Sequence, residues 1–309
     1  MFFAARPALR PLVAGALAVA LVASLAACSG DAGGSSDGSG STGSGSTDTG
    51  ATGSDSTDTA PAVEALSAAD GSVTGGSTIT LTGSGLDGVT AVSFGANAAS
   101  AVTAVSDEEL TVTTPAAVNY ATGPVDVSLA EGDAAAVASG LTYNYTVVTP
   151  VDAQMNYLLT YWQNRNEAEY GSYGDNDCVN FTSQSLIARG WVEDDEWYHE
   201  ASSTGEHSYS SPWLSSTSMM KYFTARPELA TALTDQQRDQ VVIGDIVQFD
   251  WDNSGDRDHT GVVTRIEGSG PDRVIFFAGH SLDSDFRSVD VAITTDHPGG
   301  TAYYWHLQK

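Results

Sequence analysis

The sequence predicts a multidomain chain: a small all-β sandwich followed by a mixed α+β domain, carried behind an export signal and a solvated spacer. Three observations predict it. Short runs alternating apolar and polar residues recur through residues 61–147, helical spacing and then apolar strands occupy residues 152–309, and residues 28–60 hold almost nothing that could form a core. At 309 residues the chain allows about two domains of ordinary size.

Residues 1–27 carry Arg6 and Arg10, an apolar run from Leu12 to Leu25, and the small residues Ala26 and Ala27 before Cys28. This is the layout of an export signal, and its apolar run falls short of the roughly 20 residues that a spanning helix needs. Leu25-Ala26-Ala27-Cys28 resembles the bacterial lipobox, which implies cleavage before Cys28 and lipidation of its sulfur. The chain is then expected on the outer face of the cell membrane, held there only by a lipid anchor. With Cys28 so used, Cys178 has no partner, because the chain contains two cysteines. An unpaired thiol in an oxidising compartment is an intermolecular bridge, a reactive group or a buried inert side chain.

From Ser29 to about Ala60 the residues are Ser, Gly, Thr and Asp, the composition of a flexible linker. The formal net charge is -27, and every Lys and Arg lies in the signal or from Arg165 onward. Such a surface repels polyanions, so nucleic acid is not expected as a partner.

In residues 61–147 the run Thr78-Ile79-Thr80-Leu81-Thr82 alternates, as do Val92-Ser93-Phe94 and Leu110-Thr111-Val112-Thr113. Val92 and Phe94 should face the core, with Gly83, Gly85 and Gly88 serving turns. The stretch PAVEALSAADGSVTGGSTITLTGSGLDGVTAVSFGANAAS, with SDEELTVTTPAA and GPVDVSL after it, resembles the IPT/TIG family of immunoglobulin-like domains. That resemblance implies a scaffold, either a spacer or a weak binding module.

In residues 152–309, Met155, Leu158, Leu159 and Trp162 recur at helical spacing after Asp152. The loop EYGSYGDND follows, then a helix from Cys178 to about Arg189, with Asp177 placed to cap it and Gly190 to close it. Cys178 in the first turn would meet unpaired backbone N–H groups and the positive helix end, which favour a thiolate. Asp175 and Asp177 oppose ionisation, so a positive partner is needed. His259 supplies one: Gly244-Asp245 opens an apolar strand, an Asp-rich loop follows, and His259 begins HTGVVTRI. Its imidazolium would lower the thiol below the usual pKa of about 8.5 and later protonate a leaving amine. His280 ends the apolar run RVIFFAGHS and competes with Asp283 and Asp285 to orient that ring. The Cys and His spacings fit no zinc site. Trp191, Trp197, Tyr198 and Trp213 are candidates either for the cleft or for the core.

DCVNFTSQSLIARGW, then GDIVQFD with DHTGVVT, then FFAGHSLD, resemble the bacterial "putative amidase domain" family, related to the CHAP and NlpC-type cysteine hydrolases. The resemblance covers most of residues 152–309 and implies a papain-like α+β fold. It further implies a nucleophilic Cys178, with His259 as base and acid and a polar residue on the following strand, the position of His280, orienting the ring. The oxyanion would be met by the backbone N–H of Cys178 and one further group, with Tyr173, Asn176 and Asp177 as oxyanion or cleft candidates.

The loop DWDNSGDRD sets Asp250, Asp252, Asp256 and Asp258 at alternate positions around Gly255, as in a calcium loop, but Gly261 stands where an EF-hand has its bidentate Glu. A solvated acidic turn is the alternative to a calcium site, and the chemistry itself requires no cofactor. The expected function is hydrolysis of amide bonds in peptidoglycan peptides, or of another amide substrate, through a Cys178 thioester. The alternative is a cell-surface binding or adhesion protein whose papain-like domain is catalytically idle.

Overall fold

The computed structural model describes residues 60–308, so the expected signal, Cys28 and nearly all of the linker lie outside the described residues. Among the described residues no helix is long and apolar enough to cross a membrane.

The N-terminal domain is a β-sandwich. Its strands are β1 (Ala62–Leu66), β2 (Asp70–Ser72), β3 (Thr78–Ser84), β4 (Ala91–Phe94), β5 (Asn97–Ala98), β6 (Ala101–Ser106), β7 (Glu109–Thr113), β8 (Gly123–Ala130) and β9 (Val137–Thr146). They pair in the orders β1-β3-β7-β6 and β2-β9-β8-β4-β5. Alternation decides which face is buried: Ile79 and Leu81 of β3, Val92 and Phe94 of β4, and Leu110 and Val112 of β7 all turn inward. Gly85 turns the chain at φ 68°. Gly83 instead lies within β3, where a Cβ would come 1.9 Å from the Ala62 carbonyl oxygen beside the β1 bulge. It is a glycine of close backbone approach rather than of a turn.

The C-terminal domain is mixed α/β. Helix α1 (Pro150–Tyr161) starts with a capping box in which Thr149 accepts from the Asp152 amide and Asp152 accepts from the Thr149 amide, with Pro150 in the first turn. The helix therefore begins before Asp152, which stands in its first turn and not ahead of it. After α2 (Glu167–Tyr170) and α3 (Cys178–Ala188) come the hairpin β10 (His199–Ala201) and β11 (His207–Tyr209), then α4 (Ser211–Leu214) and α5 (Ser216–Thr224). The remaining strands are β12 (Ala230–Thr234), β13 (Ile246–Asp250), β14 (His259–Glu267), β15 (Val274–Gly279), β16 (Ser284–Ser288) and β17 (Thr301–Leu307). They form an antiparallel sheet in the order β12-β17-β13-β14-β15-β16.

Ile246, Val262, Ala278 and Trp305 pack in clusters with α1 and α3, while Val247, Phe249, Val263, Phe277 and Tyr304 form a core of their own. Trp197 and Trp213 stack at 4.8 Å and are fully buried, so these two tryptophans are core.

The two domains share one apolar core. Val73, Leu81, Phe94 and Tyr145 of the sandwich belong to the same buried cluster as Met155, Leu158, Phe181, Val262 and Ala278. A polar clamp crosses the junction: buried Asp152 accepts from Ser72 Oγ at 2.6 Å, Thr74 Oγ1 at 2.6 Å and Thr74 N at 3.1 Å. The Tyr120 hydroxyl donates across it to the Thr264 carbonyl.

Candidate active site

Gly190, at φ 97°, ends α3, and Asp177 precedes its first residue, but the Asp177 carboxylate makes no capping bond to the helix backbone. It serves as a hub. Its Oδ1 accepts from Tyr173 N at 2.8 Å and Asn180 Nδ2 at 2.9 Å, while Oδ2 faces His280 Nδ1 at 2.7 Å and Arg165 Nε at 3.4 Å. Burial works to raise this carboxyl, yet the bonds from His280, Asn180 and Tyr173 bring it below its ordinary value. Arg165 also grips Asp283 with both terminal nitrogens, at 3.1 and 2.8 Å. The Asp177 amide donates to Ser281 Oγ at 3.3 Å, and Ser281 is held at φ 79°, a conformation uncommon outside glycine.

His280 thus serves Asp177 rather than His259. Its Nε2 lies 3.2 Å from the Tyr161 carbonyl, and its ring lies flat on Phe181 at 3.7 Å and 11°. Asp283 is taken by Arg165, and the Asp285 carboxylate accepts from the Phe286 amide, so neither orients His259.

Cys178 is free, buried, and seated at the start of α3. Its sulfur lies 3.9 Å from Ser216 Oγ. Burial pushes the thiol above its ordinary pKa and Asp177 adds to the rise, while the Ser216 hydroxyl and the Thr260 and Val179 amides pull it down. The Thr260 amide is the peptide that joins it to His259, so the sulfur rests against the backbone beside that histidine.

The His259 ring leaves β14 among Phe249, Trp251 and Phe277, at centroid distances of 5.8, 6.0 and 6.1 Å, whereas the Thr260 hydroxyl points to the opposite face, toward Ser216. No hydrogen bond holds its nitrogens among the described residues, and its Nε2 faces Gly279, where a Cβ would sit 3.5 Å away. Burial, with Arg287 and His297 acting in the same sense, brings its pKa from 6.5 down to about 4. The imidazole is therefore neutral, where the sequence led us to expect an imidazolium beside the thiol, and its ring lies on the face of β14 opposite to the one that Thr260 turns toward Ser216 and Cys178. Tyr173 and Asn176 are exposed on the loop leading to Cys178, and the Tyr173 ring meets that of Tyr209 edge-on at 5.6 Å.

Asp250, Asp252, Asp256 and Asp258 each bring a carboxylate oxygen within 4.8 Å of the others, a set able to hold a cation. Asp250 is also engaged by the loop itself, accepting from the Ser254 and Gly255 amides with Arg257 Nη1 3.6 Å away.

Residues 150–304 match the sequence model described as "Putative amidase domain", and residues 61–145 match the IPT/TIG domain. The chain belongs to the "Putative amidase domain" family. One curated relative is the "Uncharacterized protein YhbB" of Bacillus subtilis (strain 168), 26% identical over 172 residues that make up 52% of this chain and 49% of that protein. The chain spans about half the length of this relative. Among solved structures, the Plexin A4 extracellular region covers 28% of the chain and 9% of its own length, at 21% identity and a TM-score of 0.25. The Bacteroides ovatus glucan-utilisation protein SGBP-B, in complex with a mixed-linkage heptasaccharide, covers 80% of the chain and 52% of its own length, at 11% identity and a TM-score of 0.23.

Sequence reasoning missed Arg165, Ser216, Gln248 and Thr260, all of which contact the site or its supports. One signal was present: Gln248 interrupts the apolar strand IVQFD, and a polar residue inside a buried strand needs partners.

Proposed function

We propose that this protein is an extracytoplasmic, lipid-anchored cysteine amidase or endopeptidase that hydrolyses amide bonds in peptidoglycan peptides. The reading is carried by the seat of Cys178, a free thiol at the start of α3 that rests against the peptide joining His259 and Thr260. The order of helix first and antiparallel sheet after, with the cysteine on the helix and the histidine opening a strand, supports a papain-like relationship.

Neutral His259 is the base, a role that requires its ring to swing from the Phe249 face of β14 to the face where Thr260 and Ser216 meet Cys178. It takes the thiol proton as sulfur attacks the amide carbon, then delivers it to the nitrogen as the C–N bond breaks. Water next cleaves the thioester, releasing the carboxylate and restoring the thiol. Tyr173 and Asn176 line the approach, and lipid at Cys28 would place this cleft facing the cell wall. Calcium at the acidic loop would stiffen the connection into His259 and take no part in the chemistry.

The burial of the thiol favours a second reading, a surface binding protein whose α/β domain is idle. Purified cell-wall fragments separate the two: the first requires release of new amino groups by the wild type and none by Cys178→Ala, while the second requires no release by either.

A further inference from the structure

Behind the thiol runs a buried chain of polar side chains whose hydrogen bonds have a fixed sense. The Trp305 indole N–H, which can only donate, lies 2.8 Å from Gln248 Oε1. The Ser216 carbonyl, which can only accept, lies 2.8 Å from Gln248 Nε2. These two partners independently fix the Gln248 amide, so its second N–H donates to Thr260 Oγ1 at 3.1 Å. Thr260 Oγ1, already accepting, sends its own hydrogen to Ser216 Oγ at 2.9 Å. Ser216 Oγ accepts that bond, and its remaining partner among the described residues is Cys178 Sγ at 3.9 Å. All five side chains are buried, which keeps water from competing for these bonds.

We propose that Ser216 is a pre-aimed hydroxyl donor to the Cys178 sulfur, held in that sense by the one-way chain Trp305–Gln248–Thr260–Ser216. Its importance for turnover rests on reading Cys178 as the nucleophile; the donor itself does not. Burial and Asp177 both oppose a sulfur anion here, and a donor that needs no reorientation stabilises the anion as it forms. Ser216 comes from α5, far in sequence from both the cysteine helix and the histidine strand, so it ties the segment between α3 and β12 to the chemistry.

The test is the pH midpoint of thiolate formation in the full chain without substrate. It is read by ultraviolet thiolate absorbance, as the difference from Cys178→Ala, and by iodoacetamide labelling of Cys178. Ser216→Ala should raise the midpoint by about one pH unit, slowing labelling roughly tenfold below it. Ser216→Thr, which keeps the hydroxyl, should restore the wild-type midpoint. Gln248→Met does not touch the sulfur; by releasing Thr260 from its fixed sense it should move the midpoint the same way by less. A folded Ser216→Ala protein with the wild-type midpoint overturns the proposal, and if that variant does not fold, an unmoved midpoint in Gln248→Met does so. Because no substrate is present, a shifted midpoint in a protein that releases no amine refutes the amidase reading and leaves the donor standing. An active protein with an unmoved midpoint does the reverse.

Discussion

At His259 the cost of charging a buried imidazole sets the resting state of the site. In the unfolded chain the ring binds a proton near its ordinary 6.5, whereas in the fold it does so near 4. Below 6.5 the unfolded state therefore binds more protons, and stability falls as the pH is lowered from 6.5 toward 4, by up to about 3 kcal/mol. Urea unfolding at stepped pH should show this loss in the wild type and a flatter acid limb in His259→Gln. Equal slopes would mean that the ring titrates as if exposed. The same shift keeps the base form of His259 available in mildly acidic solution, so amide hydrolysis should hold its rate below pH 6.5 before it declines.

At the scale of elements, α3 is anchored through Asp177, and α1 through Asp152. Asp177→Ala would leave buried His280 and Asn180 without their acceptor, and a loss of about 3–5 kcal/mol in unfolding free energy is expected. Asp177→Asn, which keeps the shape and loses the charge, should cost less. Much of this level was legible in the sequence. Gly190 marked the end of α3, alternation marked β3, β4 and β7, and Asp177 stood at the helix start. What it does there was not legible, because its partners Arg165 and His280 come from other elements, 12 residues before it and 103 after it. The opening of α1 was misplaced although Thr149-Pro150 was there to read as cap and first turn. The partners of Gln248 were hidden for the same reason as those of Asp177: Ser216 and Trp305 reach it only through tertiary packing.

Taken whole, the sandwich and the α/β domain pack as one body through a shared apolar cluster. The apolar cluster runs from the sandwich into α1, α3 and β14, so the IPT/TIG domain supplies part of the wall on which the cysteine helix rests. Calorimetry should give one cooperative transition for residues 60–308, and Asp152→Ala should lower it or split it in two. Deleting residues 61–146 should expose Met155 and Leu158 and leave the remainder poorly folded. A deletion that melts as sharply as the intact chain would show that the domains are independent.

The central claim is that the Cys178 sulfur carries the acyl group during amide cleavage. Acid quenching of the reaction with a peptidoglycan-derived peptide, followed by peptide mapping by mass spectrometry, should find the acyl fragment on Cys178 and nowhere else. It should be absent from Cys178→Ala and accumulate in His259→Gln only if the acyl group is transferred from an already reactive substrate. Turnover of the amide with no adduct on Cys178, or undiminished turnover in Cys178→Ala, would contradict it.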